Sequence, residues 1–125
     1  MLSDSEAIAM IAVKDIQKAA AFYERVLGLS RLATEGEEVI TYRSGGTKFN
    51  VYRSEFAATN KATSMLWNVG QDIDAIAAEL GSKGVRFEHY DMPGMTLHGD
   101  VYHGDDMKVA WFKDPDGNIL SIVCG

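Results

Sequence analysis

The stretch Met107-Lys-Val-Ala-Trp-Phe-Lys-Asp114-Pro115-Asp116-Gly117-Asn-Ile-Leu-Ser-Ile-Val123 holds two short runs of β-branched and aromatic residues around a four-residue turn signal, the pattern of a β-hairpin. Pro115 fixes φ at the first central turn position and Gly117 takes a left-handed conformation without a Cβ penalty, which suits a type I turn followed by a G1 bulge. The turn then sets the register. Asp114 falls opposite Asn118, so Trp111 falls opposite Ser121 on one face and Phe112 opposite Leu120 on the other.

Working back from the hairpin, Val85 to Tyr90 reads as a strand. Asp72 is a candidate N-cap ahead of an amphipathic helix carrying Ile73, Ile76, Ala77 and Leu80, which ends near Gly84, and Ser64 to Val69 forms a strand before it. The first half has the same order. Ala7 to Val13 is an apolar strand, and Asp15 caps a helix in which Ile16, Ala19, Ala20, Tyr23, Val26 and Leu27 recur at helical spacing until Gly28 stops it. Ser30 to Thr34, Glu38 to Arg43 and Lys48 to Arg53 are three further strands.

Each half is therefore βαβββ, and the agreement extends to spacing. Asp15-Ile16 matches Asp72-Ile73, Val13 matches Val69 with one extra residue before the helix, and Glu38-Val-Ile-Thr-Tyr-Arg resembles Lys108-Val-Ala-Trp-Phe-Lys. Gly46-Thr-Lys-Phe-Asn-Val-Tyr runs in step with Gly117-Asn-Ile-Leu-Ser-Ile-Val, which pairs Asn50 with Ser121. The expected architecture is α+β: one domain over residues 1–125, with module one at 7–54, a polar linker at 55–63 and module two at 64–124.

Composition narrows the function. A chain of 125 residues with 46% hydrophobic content buries a substantial core. Twelve basic residues against 18 acidic ones, a net charge of −6 with no basic block, argue against a nucleic-acid partner. No apolar run approaches the roughly 20 residues of a membrane span. Asp4 and Glu6 stand where a signal peptide is basic, so the expected location is cytoplasmic. Cys124 is the single cysteine and reads as a small core residue. Ser-His-Asp ordering, a phosphate loop, a Rossmann fingerprint and zinc-ribbon spacing are all missing.

Asp15-Ile-Gln-Lys-Ala-Ala-Ala-Phe-Tyr-Glu-Arg-Val-Leu-Gly28 resembles the first helix of the vicinal oxygen chelate superfamily, also called the glyoxalase, bleomycin resistance protein and extradiol dioxygenase superfamily. Phe112-Lys-Asp-Pro-Asp-Gly-Asn118 resembles its hairpin signature. The resemblance implies paired βαβββ modules whose sheets curl into a half-open cup, with helices outside, ligand within and a common tendency to form homodimers. It also implies metal ligands at one inward position on the first and fourth strands of each module. Mapped onto this chain, those positions are Ile8, Asn50, Ser64 and Ser121. An alkyl group, an amide and two hydroxyls stand where the family's metal enzymes carry His, Glu or Gln, so no metal and no cofactor are expected.

Strand alternation adds Met10, Ala12, Lys48, Tyr52, Leu66, Asn68, Trp111 and Val123 to the face of the mapped positions, and leaves Ile11, Val13, Phe49, Met65, Trp67, Leu120 and Ile122 beneath the helices. A face with apolar walls, aromatic rings and isolated amide and hydroxyl groups suits a small-molecule pocket. The competing reading places Trp111 and Tyr52 in the core.

Residues 92–106 form a segment of about fifteen residues where module one has only Glu-Gly-Glu, the mark of a lid or of a surface hairpin. In the second case Asp100 to His103 pairs back on Met107 to Trp111. His98 and His103 lie five apart, neither helical nor same-face strand spacing, yet as part of a lid they become candidate ligand-binding residues. The function expected from the sequence is metal-free binding or sequestration of a partly aromatic small molecule by a homodimer, resembling the bleomycin resistance branch, with no nucleic acid and no membrane as partner. The alternatives are a lyase, isomerase or dioxygenase-like enzyme using the lid histidines, and a dimeric interaction module.

Overall fold

Each half of the chain builds its own mixed sheet, the first within Met1–Thr59 and the second within Asn60–Gly125. The computed structural model describes every residue from Met1 to Gly125. The boundary between the two units falls inside the polar stretch 55–63.

The first unit opens with a 3₁₀ turn at Leu2–Asp4 and continues as β1 (Ala9–Val13), α1 (Ile16–Ala21), β2 (Ser30–Glu35), β3 (Val39–Ser44) and β4 (Thr47–Arg53). The strand order is β1-β4-β3-β2, with β1 parallel to β4 and the other pairs antiparallel. Asp15 caps α1 by accepting hydrogen bonds from the N–H groups of Gln17 and Lys18, each 3.1 Å long. The helix was expected to run regularly to Leu27. Instead it widens over Phe22–Val26 into a π turn, closed by the Leu27 N–H donating to the Phe22 carbonyl. Gly28 then ends it at φ 73°.

The widened turn carries two side chains that lock it to the sheet. Tyr23 is fully buried, stacked on Tyr42 and edge-on to Phe49. Glu24 accepts hydrogen bonds from Tyr42 Oη at 2.8 Å and from Arg31 Nε at 3.0 Å. Burial pushes the Glu24 carboxyl up, but the bonds from Arg31 and Tyr42 outweigh it and hold the group below its ordinary value of 4.5. The unfolded chain therefore protonates Glu24 more readily than the folded one. This contribution to stability is present above the ordinary glutamate range and is lost as pH falls through the lowered value. Denaturation curves from neutral to acid pH should show a flatter acid limb for Glu24→Gln than for the wild type, and parallel limbs would refute the assignment.

The second unit comprises β5 (Thr63–Asn68), α2 (Ile73–Ser82), β6 (Phe87–Glu88), β7 (Thr96–His98), β8 (Val101–His103), β9 (Lys108–Lys113) and β10 (Ile119–Cys124). Its order is β5-β10-β9-β8-β7, with β6 also on β9. Asp72 directly precedes α2 as expected, but its side chain makes no capping bond, because a 3₁₀ turn over Gly70–Asp72 leads into the helix. The strand expected at Val85 to Tyr90 is reduced to two residues. The outer edge of β9 is shared: β6 takes Trp111 and Phe112, while β8 takes Lys108 and Val109. Residues 92–106 supply β7 and β8, a hairpin whose second strand pairs back on β9.

The C-terminal hairpin has the register its turn dictates, Trp111 opposite Ser121 and Phe112 opposite Leu120. Asp114 and Asn118 close it through the Asp114 N–H to the Asn118 carbonyl at 3.0 Å, and Gly117 sits at φ 93°. Phe112 and Leu120 are fully buried, and α2 packs on β8, β9 and β10 with Ile73, Ala77 and Leu80 inward. Neither sheet closes into a barrel. No helix is long and apolar enough to cross a membrane.

Candidate functional site

The alternation that buries Phe112, Leu120 and Ile122 leaves Trp111 half-buried on the other face of the second sheet. Its indole Nε1–H donates to Thr63 Oγ1 at 3.2 Å. Two tyrosines stand edge-on to it, Tyr90 with ring centroids 5.3 Å apart and Tyr102 at 5.6 Å. Tyr102 is itself buried, and its hydroxyl takes the Tyr90 N–H while donating to the Tyr90 carbonyl, so the two tyrosines are held as one piece. Beside them lies a hollow of about 380 Å³ lined by Lys61, Thr63, Tyr90, Trp111 and Ile119 among others. That volume lies within the range of small-molecule sites.

Ser121 lies next to Trp111, as expected, but it is covered, and its Oγ makes no hydrogen bond within the protein. Ser64 is half-buried at an irregularity of the parallel β5–β10 pairing. Ile119 pairs with Thr63 and Leu120 with Met65, so Ser64 is the extra residue of a bulge. Equating Ser64 with Ile8 by counting residues does not carry that irregularity, and Thr63 is the residue that meets the Trp111 ring. Tyr90, Tyr102 and Thr63 were not singled out from sequence as lining residues. The one available signal was the pairing of residues 100–103 with β9, which puts Tyr102 opposite Val109 and hence on the face of Trp111.

The two loop histidines come together elsewhere. His103 pairs with Lys108, one residue out of phase with Tyr102, which sends it to the α2 side of the sheet. There His103 Nε2 lies 3.8 Å from Asp74 Oδ1, Lys108 Nζ lies 3.1 Å from Asp74 Oδ2, and the exposed His98 ring sits 4.4 Å from that of His103. His89 forms a separate pair, its Nε2 2.8 Å from Asp100 Oδ1 and its ring edge-on to Tyr102.

In the first unit, Ile8 is exposed one residue before β1, and Tyr52 is half-buried on β4. Asn50 is held between neighbours: its Oδ1 accepts from Thr41 Oγ1 at 2.6 Å and its Nδ2 lies 3.4 Å from Met10 Sδ. The resemblance drawn from the sequence implies a divalent metal in the superfamily's metal enzymes, and the mapped positions here fit one poorly. An alkyl group donates nothing, the Asn50 carbonyl oxygen is engaged, and neutral hydroxyls are weak ligands beside imidazole or carboxylate. No group of three or more His, Cys, Asp or Glu side chains is placed to hold a metal ion.

Two helices and two mixed sheets, neither closed into a barrel, define an α+β protein. The chain belongs to the Glyoxalase/Bleomycin resistance protein/Dioxygenase superfamily, whose family model matches residues 7–122. No curated protein sequence matches significantly. Among solved structures, an integron cassette protein from the mobile metagenome of Halifax Harbour sewage outfall is similar with a TM-score of 0.70 at 17% identity, covering 96% of this chain and 99% of its own. Lactoylglutathione lyase from Agrobacterium tumefaciens gives 0.71 at 14% identity, over 97% and 94%. The genomically encoded fosfomycin resistance protein FosX from Listeria monocytogenes gives 0.72 at 11% identity, over 97% and 93%. At these identities the likeness is one of fold.

Proposed function

We propose that the protein binds a flat, partly aromatic small molecule in the hollow beside Trp111, without a transition metal, as a cytoplasmic homodimer that sequesters or carries its ligand. The carrying observation is the half-buried indole, braced by two tyrosines and tied to Thr63, on the face of the second sheet opposite Phe112. An aromatic ring resting on such a platform gains about 0.5–1.5 kcal/mol beyond the area it buries. Lys61 at the rim supplies a cation for a polar substituent. The donor set at Ile8, Asn50, Ser64 and Ser121 supports the metal-free part of the reading. A catalytic reading, a lyase, isomerase or dioxygenase-like activity, draws on the fold likeness to the Agrobacterium lyase. It also draws on His89, whose Nε2 lies 2.8 Å from Asp100 Oδ1, a carboxylate contact of the kind that orients a general base.

The test uses the fact that the chain has two tryptophans. In a Trp67→Phe variant Trp111 is the sole indole, and its emission should change saturably with benzoate, quinoline or a naphthalene sulfonate. A folded variant indifferent to all three would refute the proposal. The same preparation should carry far less than one equivalent of Zn, Ni, Mn or Fe per chain by elemental analysis, and light scattering should give the mass of two chains.

A further inference from the structure

We propose that the first unit carries a separate site for a small organic oxyanion, a carboxylate or phosphate on an apolar body, held by Arg43 and Lys48 at the mouth of the β3–β4 hairpin. The two cations are direct partners in the antiparallel ladder. Like charges facing each other across a ladder are destabilising. Both are exposed, and neither makes an ion pair. Acidic residues outnumber basic ones 18 to 12, and Arg31, Arg53, Lys83, Lys108 and Lys113 each have a carboxylate partner.

The space between them has the form of a site. Arg43 and Lys48 line a hollow of about 460 Å³. The hairpin turn at its rim is Gly45-Gly46, and a Cβ at either position would meet nothing within 4 Å, so an anion has room to approach the backbone. Ile8 and Leu32 also line it and are 41% and 49% exposed, which leaves apolar surface beside the charge. Glu6 stands at the same rim but pairs with neither cation. An oxyanion between the guanidinium and the ammonium removes their repulsion and gains charge-assisted hydrogen bonds, while its hydrocarbon part covers Ile8 and Leu32. This site lies wholly within Met1–Thr59 and is independent of the reading of the Trp111 hollow.

The experiment titrates the full-length protein with inorganic phosphate and with hexanoate at constant ionic strength, following the backbone amide resonances of Gly45, Gly46, Thr47 and Lys48. Saturable shifts confined to this hairpin and its neighbours are expected. Arg43→Gln and Lys48→Gln should each weaken binding about tenfold, a loss of about 1.4 kcal/mol. Glu6→Gln should tighten it, and Lys18→Gln, a charge-matched change on α1, should leave it unaltered. In anion-free buffer the Arg43→Gln/Lys48→Gln double variant should be at least as stable as the wild type, because the change removes a repulsion. A response to phosphate alone or to hexanoate alone supports the site and identifies its oxyanion. A response to neither, equal weakening by Lys18→Gln, or destabilisation of the double variant without anion would overturn the proposal.

Discussion

Phe112→Ala is expected to lower the stability of the second unit by about 3–5 kcal/mol, whereas Trp111→Ala, one residue earlier on the same strand, should cost about 1–2 kcal/mol and leave a folded protein. The difference comes from the faces of β9. Phe112 is completely buried, stacked on Trp67 at 6.5 Å and edge-on to Phe87 at 5.8 Å, so its removal opens a cavity among rings that cannot collapse into it. Trp111 is half-buried with an open side, and its alanine variant loses partial burial and one hydrogen bond to Thr63. Against a total stability of about 5–15 kcal/mol the first loss is severe and the second tolerable. Urea denaturation followed by far-UV circular dichroism measures both. Equal costs would place Trp111 in the core and remove the platform on which the proposed ligand rests.

The second large effect is expected at Asp114. Its buried carboxylate accepts from the Asp116 N–H and the Asn118 N–H, both at 2.9 Å, and from Asn118 Nδ2 at 2.8 Å. Asp114→Ala strands these donors, two of them on the buried Asn118, at about 1–3 kcal/mol for each buried group left unsatisfied. A loss of about 3 kcal/mol is therefore anticipated, with partial recovery in Asp114→Asn, which keeps one acceptor oxygen. The hairpin register depends on this turn, so Asp114→Ala should also broaden the amide resonances of β9 and β10. A variant within about 0.5 kcal/mol of wild type, the range of an ordinary surface change, would show that strand pairing alone fixes the register.

What the sequence discloses about this fold is what local chemistry decides. Asp114, Pro115 and Gly117 specify a turn, the turn specifies a register, and the register assigns Trp111 and Phe112 to opposite faces with no knowledge of the remaining chain. Asp15 and Gly28 likewise mark the limits of the first helix. Its π turn at Phe22–Val26 escaped notice because it is bound up with Tyr23 and Glu24 meeting Tyr42, a residue two strands away. β6 came out short because residues 92–106 compete for the same edge of β9, and competition between segments is invisible to periodicity. The site follows the same division. The pairing of Trp111 with Ser121 was legible, while the neighbours Thr63 and Tyr90 depended on a bulge and on the path of a long connection.

Strand order also sets a timetable for synthesis. In the first sheet the strand between β1 and β3 is β4, complete at Arg53, so that unit holds every strand of its sheet while the second half is still being made. In the second sheet β10 lies between β5 and β9 and pairs with β5 in parallel, yet it follows every other strand of that sheet in chain order. Until residue 124 has left the ribosome, β5 has no neighbour and the apolar faces of Trp67 and Phe112 have no middle strand to join them. At about 5–20 residues per second this exposure lasts several seconds. The nascent second half therefore keeps its apolar strand faces unpaired for longer than the first.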